Sequence, residues 1–146
     1  MILSSLTIRE LEILEPCVQA YKAHGVSVGL SHAGYDLSLD GQYLIAPGEF
    51  ILVSAKERFT MPKDVVGIVH DKSTWARRGI TVQNTVIEPG WCGYLTLEIC
   101  NHSRSLSWVL EEGVGIAQVV FHRMDRPVEG YSGKYQNQER GPQGAR

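Results

Sequence analysis

Val86-Ile87-Glu88-Pro89-Gly90-Trp91-Cys92-Gly93-Tyr94-Leu95-Thr96-Leu97-Glu98 is the stretch that decides how this chain folds. Two runs of β-branched, aliphatic and aromatic residues flank Pro89-Gly90. That pair sets a tight turn, because proline holds φ near about −65° and glycine accepts the conformation that follows. The second run continues through Ile99 and Cys100. Alternation places Leu95 and Leu97 on one face of the strand and Thr96 and Glu98 on the other. Each arm of the turn carries one carboxylate, Glu88 and Glu98, and two carboxylates near one turn can divide acid and base roles. On periodicity alone, Glu98 reads equally well as an ordinary residue on the wet face of a sheet.

The same grammar repeats outward from this turn. Short runs of Val, Ile, Leu, Phe and Tyr at 50–55, 65–69, 81–87, 94–100 and 116–121 are punctuated at Gly41, Pro47-Gly48, Pro62, Gly67, Pro89-Gly90 and Gly113. This predicts many short strands and an antiparallel sandwich or barrel. A leading helix is expected over 7–14, where Ile8, Leu11, Ile13 and Leu14 fall near helical spacing, with Thr7 as N-cap and Glu10 three residues later. Residues 130–146 are polar and aperiodic. The expected organisation is a β domain over 1–129 followed by a flexible C-terminal segment over 130–146.

With 146 residues and 43% hydrophobic content the chain can bury one sizeable core. A net charge of −2 argues against coating nucleic acid, which needs a clustered basic excess. Cys17, Cys92 and Cys100 form no C-x-x-C pair, so they read as reduced thiols of a cytoplasmic protein. The N-terminus shows no basic stretch leading into an apolar run, and no 18-residue apolar window occurs. The expectation is a soluble protein without a membrane partner. The five histidines have no ligand spacing, and no H-x-E is followed by P-C-x-x-C, which argues against a zinc-type nucleobase deaminase.

Three further segments carry chemistry. Lys72-Ser73-Thr74-Trp75-Ala76-Arg77-Arg78-Gly79 brings three cations and two hydroxyls to the end of a strand, a composition suited to a phosphate group and equally to a solvated helix start. In Ala33-Gly34-Tyr35-Asp36-Leu37, Asp36 interrupts alternating apolar residues and fits a turn. Tyr131-Ser132-Gly133-Lys134-Tyr135-Gln136-Asn137-Gln138 reads as disorder or as a lid over a nucleotide.

In this order, and with Pro47-Gly48-Glu49-Phe50 and Gly115-Ile116-Ala117-Gln118, these segments resemble the dUTPase / dCTP deaminase family over nearly the whole chain. The resemblance implies a mainly β, dUTPase-like (β-clip type) distorted barrel or sandwich with a short N-terminal helix. It further implies a homotrimer whose active sites are assembled from neighbouring subunits. Thr96-Leu97-Glu98 resembles the deaminase branch, whose members carry a catalytic glutamate there. By that likeness Glu98 takes a proton from water, the water attacks C4 of cytosine, and protons return to N3 and the departing ammonia without zinc. Arg77 is expected to hold Glu98 and stabilise the tetrahedral intermediate, and Ser73 to orient the water. Lys72, Lys134 and Gln138 are expected at a triphosphate bridged by Mg2+, with Thr74 beside them in the substrate-binding set. Asp36, Asn84, Glu88, Trp91 and Gln118 complete the implied substrate-binding set, with Tyr131 and Tyr135 closing the tail over deoxycytidine or deoxyuridine nucleotides.

The chain also departs from the family pattern. Asp71 stands where glycine is usual and would oppose a triphosphate electrostatically. Asn84 and Thr85 fill the base-pocket strand differently. Glu88 replaces the aspartate that activates water in dUTPases. Two alternatives follow: a dUTP diphosphatase, alone or bifunctional, working through Glu88, and a non-catalytic nucleotide-binding regulator.

Overall fold

The turn residues divide the chain into α1 (Ser5–Glu10), β1 (Leu14–Glu15), β2 (Tyr21–Ala23), β3 (Val26–Ser31), β4 (Gly34–Ser38), β5 (Tyr43–Ile45), β6 (Phe50–Thr60), β7 (Val65–Asp71), α2 (Ser73–Ala76), β8 (Ile80–Val82), β9 (Val86–Ile87), β10 (Cys92–Asn101), β11 (Trp108–Leu110) and β12 (Gly115–Arg123). The computed structural model describes residues 1–146. The strands form a six-stranded sheet in the order β2-β3-β4-β12-β7-β9, a four-stranded sheet β1-β6-β10-β8 and a small sheet β11-β5. Every pairing between these strands is antiparallel. This is the mainly β architecture that the alternating runs predict.

The apolar faces meet in one core. Val53, Ala55 and Phe59 of β6, Leu97 and Ile99 of β10, Tyr35 and Leu37 of β4, and Val119 and Phe121 of β12 are all fully buried. Each large aliphatic or aromatic side chain among them contributes about 1.5–3 kcal/mol by leaving water. Phe59 packs against Trp91 and Phe121, with ring centroids 5.9 and 6.5 Å apart, and so ties the two larger sheets together.

Several local expectations are corrected. The helix spans Ser5–Glu10, and its cap is Ser4, whose Oγ accepts from the Thr7 N–H at 3.4 Å. Thr7 therefore does not cap a helix running to 14. Glu12 takes φ 51°, which ends the helix and releases Leu14 to pair with Phe59. The run 81–87 is two strands in two sheets: β8 pairs with β10, and β9 with β7. A period of two reports alternation but not which sheet receives it. The register of β6 against β10 also shifts, with Arg58 to Ser54 facing only Tyr94 to Thr96. The surplus residues allow Ala55 to bridge to Leu39 and bring Glu57 against Ser38.

The C-terminal segment folds back along β10. The Tyr94 N–H donates to Gln138 O at 3.0 Å, the Asn137 N–H to Cys92 O at 3.0 Å, and the Trp91 indole N–H to Tyr135 O at 2.7 Å. Glycine at 93 makes this approach possible: its φ is 142°, and a Cβ there would lie 2.7 Å from Gln138 N. No helix is long and apolar enough to cross a membrane.

Candidate active site

Between β10, the 83–91 connection and the returning C-terminal segment lies a cavity of about 560 Å3. Leu52, Ile87, Trp91 and Leu95 form apolar wall, and Thr85, Glu88, Thr96, Glu98 and Gln138 bring polar groups to it. Leu95 lines the cavity together with Thr96 and Glu98, contrary to simple alternation, because the register shift falls at this point. No lysine or arginine is part of the lining. The space therefore suits a flat, uncharged moiety and offers nothing to balance a phosphate.

Glu98 stands in the middle of β10, opposite Leu52 of β6, and its carbonyl accepts from the Gln83 N–H at 2.9 Å. Ladders on both sides hold its backbone, so the carboxylate is placed by rigid strand and not by a loop. Its Oε2 is buried and has no hydrogen-bond partner. Burial pushes its carboxyl above the ordinary range, partly offset by its own backbone N–H. A carboxyl raised in this way, with an unpaired oxygen facing a cavity, is suited to accept a proton and return it.

The C-terminal segment closes the cavity through groups that are already paired. Thr96 Oγ1 accepts from Gln138 Nε2 at 2.9 Å and from the Gln143 N–H at 3.0 Å. Gln138 Nε2 also donates to Tyr94 O at 2.9 Å, and Tyr131 Oη accepts from the Tyr135 N–H at 3.2 Å.

A second cluster forms around α2 and does not line this cavity. α2 has only four residues, and its N-cap Lys72 makes no side-chain capping bond. Tertiary contacts hold it in place. The Trp75 indole N–H donates to Gly115 O at 2.6 Å, and the Arg78 guanidinium lies 4.9 Å from the Trp75 ring and 5.2 Å from the Trp108 ring. Asp71 Oδ1 accepts from the Val82 N–H at 2.6 Å, so this carboxylate stitches the turn to β8. Lys72 Nζ is 2.8 Å from Asp36 Oδ2, which also accepts from Ser27 Oγ at 3.1 Å. Gln118 faces Asp36 across the β12–β4 ladder and donates to Ser31 Oγ at 3.0 Å. Ser73 and Arg77 are exposed on this turn, with Thr74 half-buried between them.

The residues singled out by sequence thus fall into two groups. Glu98, Glu88, Trp91, Tyr131, Tyr135 and Gln138 meet at the cavity, whereas Lys72, Ser73, Thr74, Arg77, Asp36 and Gln118 do not line it. Asn84 is exposed and also lies outside the lining, and Lys134 sits over the Tyr135 ring at 5.1 Å. Sequence reasoning missed Thr96 and Gln143 as the fastening of the C-terminal segment, and treated Thr85 only as a departure. Nothing in a pattern of polar letters distinguishes a hydroxyl that anchors a segment from one that faces water. No group of three or more His, Cys, Asp or Glu side chains is close enough to hold a metal ion.

Comparison with known proteins bears on both fold and family. A family model described as dCTP deaminase-like matches residues 27–124. The dCTP deaminase of Roseiflexus castenholzii is 37% identical over 164 aligned residues, covering 89% of this chain and 89% of that protein. The dCTP deaminase of Campylobacter fetus subsp. fetus is 34% identical, covering 89% and 88% respectively. Among solved structures, a dUTPase from phage phi11 of S. aureus superposes with a TM-score of 0.61 at 18% identity, covering 80% of this chain and 93% of that one. Native EIAV dUTPase gives 0.61 at 18% identity, covering 85% and 98%. At such identity the structural likeness speaks to the fold, which is dUTPase-like. Since the matched segment takes in β3 through β12 and the relatives align over most of their own length, the chain belongs to the dCTP deaminase-like family.

Proposed function

We propose that this protein converts dCTP and water to dUTP and ammonia. The observation that carries the reading is Glu98, a strand-held carboxylate whose buried oxygen lacks a partner inside an apolar, cation-free cavity. The cytosine ring enters beside Trp91 and the two tyrosines. Glu98 takes a proton from a water and passes it to N3 as the oxygen attacks C4, then carries the remaining proton of the C4 hydroxyl to the leaving amine as the tetrahedral intermediate collapses to the carbonyl. One C–O bond forms, the C4–N bond breaks, and ammonia departs.

The separation of the α2 cluster from the cavity fits a homotrimer in which each site is completed by a neighbouring subunit. In that assembly Arg77 stabilises the developing charge and Ser73 orients the water, while Lys72, Thr74 and Lys134 meet phosphate oxygens. Mg2+ arrives on the triphosphate. The curated relatives described above are themselves dCTP deaminases, which supports this substrate.

A second activity is favoured by one observation: Glu88, an exposed carboxylate, lines the same cavity. In this reading Glu88 activates water for attack on dUTP, giving dUMP and pyrophosphate, with the phosphate-binding cations supplied from outside this chain's cavity. Incubating the wild type and Glu98→Gln with dCTP and Mg2+, and following ammonia, dUTP and dUMP, separates the readings. Ammonia released by the wild type alone supports deamination through Glu98, and dUMP in addition reveals bifunctionality. Nucleotide binding without any turnover of dCTP or dUTP would leave the non-catalytic regulator as the reading.

A further inference from the structure

Polar atoms that line the cavity without partners mark the places where a ligand must supply hydrogen bonds, because a buried donor or acceptor left unpaired is costly. The cavity holds four hydroxyls, and three of them are engaged within the chain. Thr96 Oγ1 accepts from Gln138 and Gln143, Tyr131 Oη from the Tyr135 N–H, and Tyr135 Oη from the Arg146 N–H. The fourth, Thr85 Oγ1, is buried and unpartnered, as is Glu98 Oε2 in the same cavity.

Thr85 is also held in place. Its carbonyl accepts from the Val69 N–H at 3.1 Å, and two residues earlier the Gln83 N–H donates to Glu98 O at 2.9 Å. The short connection between β8 and β9 is therefore pinned to β7 at one end and to the backbone of Glu98 at the other. The backbone that carries this hydroxyl is thereby fixed relative to that of Glu98.

From this pairing we infer that Thr85 is the specificity-determining residue that reads the C4 substituent of the pyrimidine, opposite Glu98. The inference deepens the deaminase reading and rests on it for the identity of that substituent. An exocyclic amino group carries two N–H donors, one for the Glu98 carboxylate and one for the Thr85 oxygen, and so satisfies both orphaned atoms together. After ammonia leaves, the threonine O–H rotates and donates to the new C4 carbonyl. A hydroxyl serves both ends of the reaction, whereas a fixed donor or a fixed acceptor would serve only one.

The test uses Thr85→Val, which keeps the shape and removes the hydroxyl, and Thr85→Ser, which keeps the hydroxyl, each in the Glu98→Gln background so that binding is read without turnover. Calorimetry in Mg2+ is run with dCTP, with dUTP, and with the 2-pyrimidinone deoxynucleoside triphosphate that has hydrogen at C4. The valine variant is expected to bind dCTP and dUTP about tenfold or more weakly and the serine variant within about threefold, with the valine penalty vanishing for the C4-hydrogen analogue. A valine variant that binds all three as its parent does overturns the proposal, as does a penalty that persists for the analogue. Ammonia release by the wild type decides the deaminase reading separately: if the enzyme proves to act on dUTP alone, the Thr85 series is still read from dUTP and the analogue.

Discussion

Two glutamates on neighbouring strands, one fully buried and one half-buried, make opposite cases. Glu98 of β10 interrupts an apolar run, Glu57 of β6 stands between Lys56 and Arg58, and burial pushes both carboxyls above the ordinary range. Glu57 is 1% exposed, and Ser38 surrounds it with donors: its N–H reaches both carboxylate oxygens at 3.2 and 3.1 Å, and its hydroxyl donates at 2.7 Å. Glu98 has an oxygen with no partner and a cavity in front of it. A raised pKa therefore marks burial in both places, and only the unmet hydrogen bond beside an open space marks chemistry. Glu57 is a structural group, closed off by its own serine.

Exchanging each carboxylate for its amide should split activity from stability. Glu98→Gln is expected to lower ammonia release by about 10²–10⁴-fold while leaving the chain folded and able to bind nucleotide, as seen by calorimetry. Glu57→Gln is expected to leave turnover within about twofold. If the losses appeared the other way round, the contrast between the two sites would be reversed.

Stability supplies the next largest effect, and its sign follows from the folded-state pKa of Glu57, which burial raises to about 7 from 4.5. Below the lower value both folded and unfolded chains carry the proton, and this group costs nothing. Between the two values the unfolded chain ionises first, so stability falls as pH rises, by as much as about 3 kcal/mol once the higher value is passed. Urea unfolding of the wild type should therefore show lower stability at pH 8 than at pH 5, and Glu57→Gln should remove that part of the slope. In the same buffers, the acid limb of kcat/KM should lie above the ordinary carboxylate range in both the wild type and Glu57→Gln, because it reports Glu98.

The closure of the cavity offers two smaller tests. Gly93→Ala would drive a Cβ to within 2.7 Å of Gln138 N at a φ of 142°, and is expected to cost about 1–3 kcal/mol in thermal unfolding. Thr96→Val removes the acceptor shared by Gln138 and Gln143, a loss of about 1 kcal/mol. Limited proteolysis should then cut the C-terminal segment faster, with little change in the core.

Much of this was legible in the letters, because strands announce themselves by period two and by the turns between them. The Pro89-Gly90 turn between two strands, the runs that became β6, β7, β10 and β12, and the candidacy of Glu98 all follow from local chemistry and from resemblance to a family. The division of 81–87 between two sheets was not legible, nor was Ser4 rather than Thr7 as the helix cap. The 130–146 segment, polar and aperiodic, lies folded along β10 through backbone bonds that leave no mark in composition. Glu57 escaped notice altogether, since its burial depends on a register shift in β6 that only the pairing with β10 and the bridge to Leu39 bring about.

Sequence by itself determined the class of fold, the positions of the turns and the short list of chemically capable residues, because these depend on near neighbours along the chain. Tertiary structure alone decided which carboxylate was left without a partner, which hydroxyl lined the same cavity unpaired, and that Ser73 and Arg77 lie away from the cavity within one chain. Those outcomes turn on hydrogen bonds between residues tens of positions apart, and whether a buried polar atom finds its partner is settled only when the sheets close.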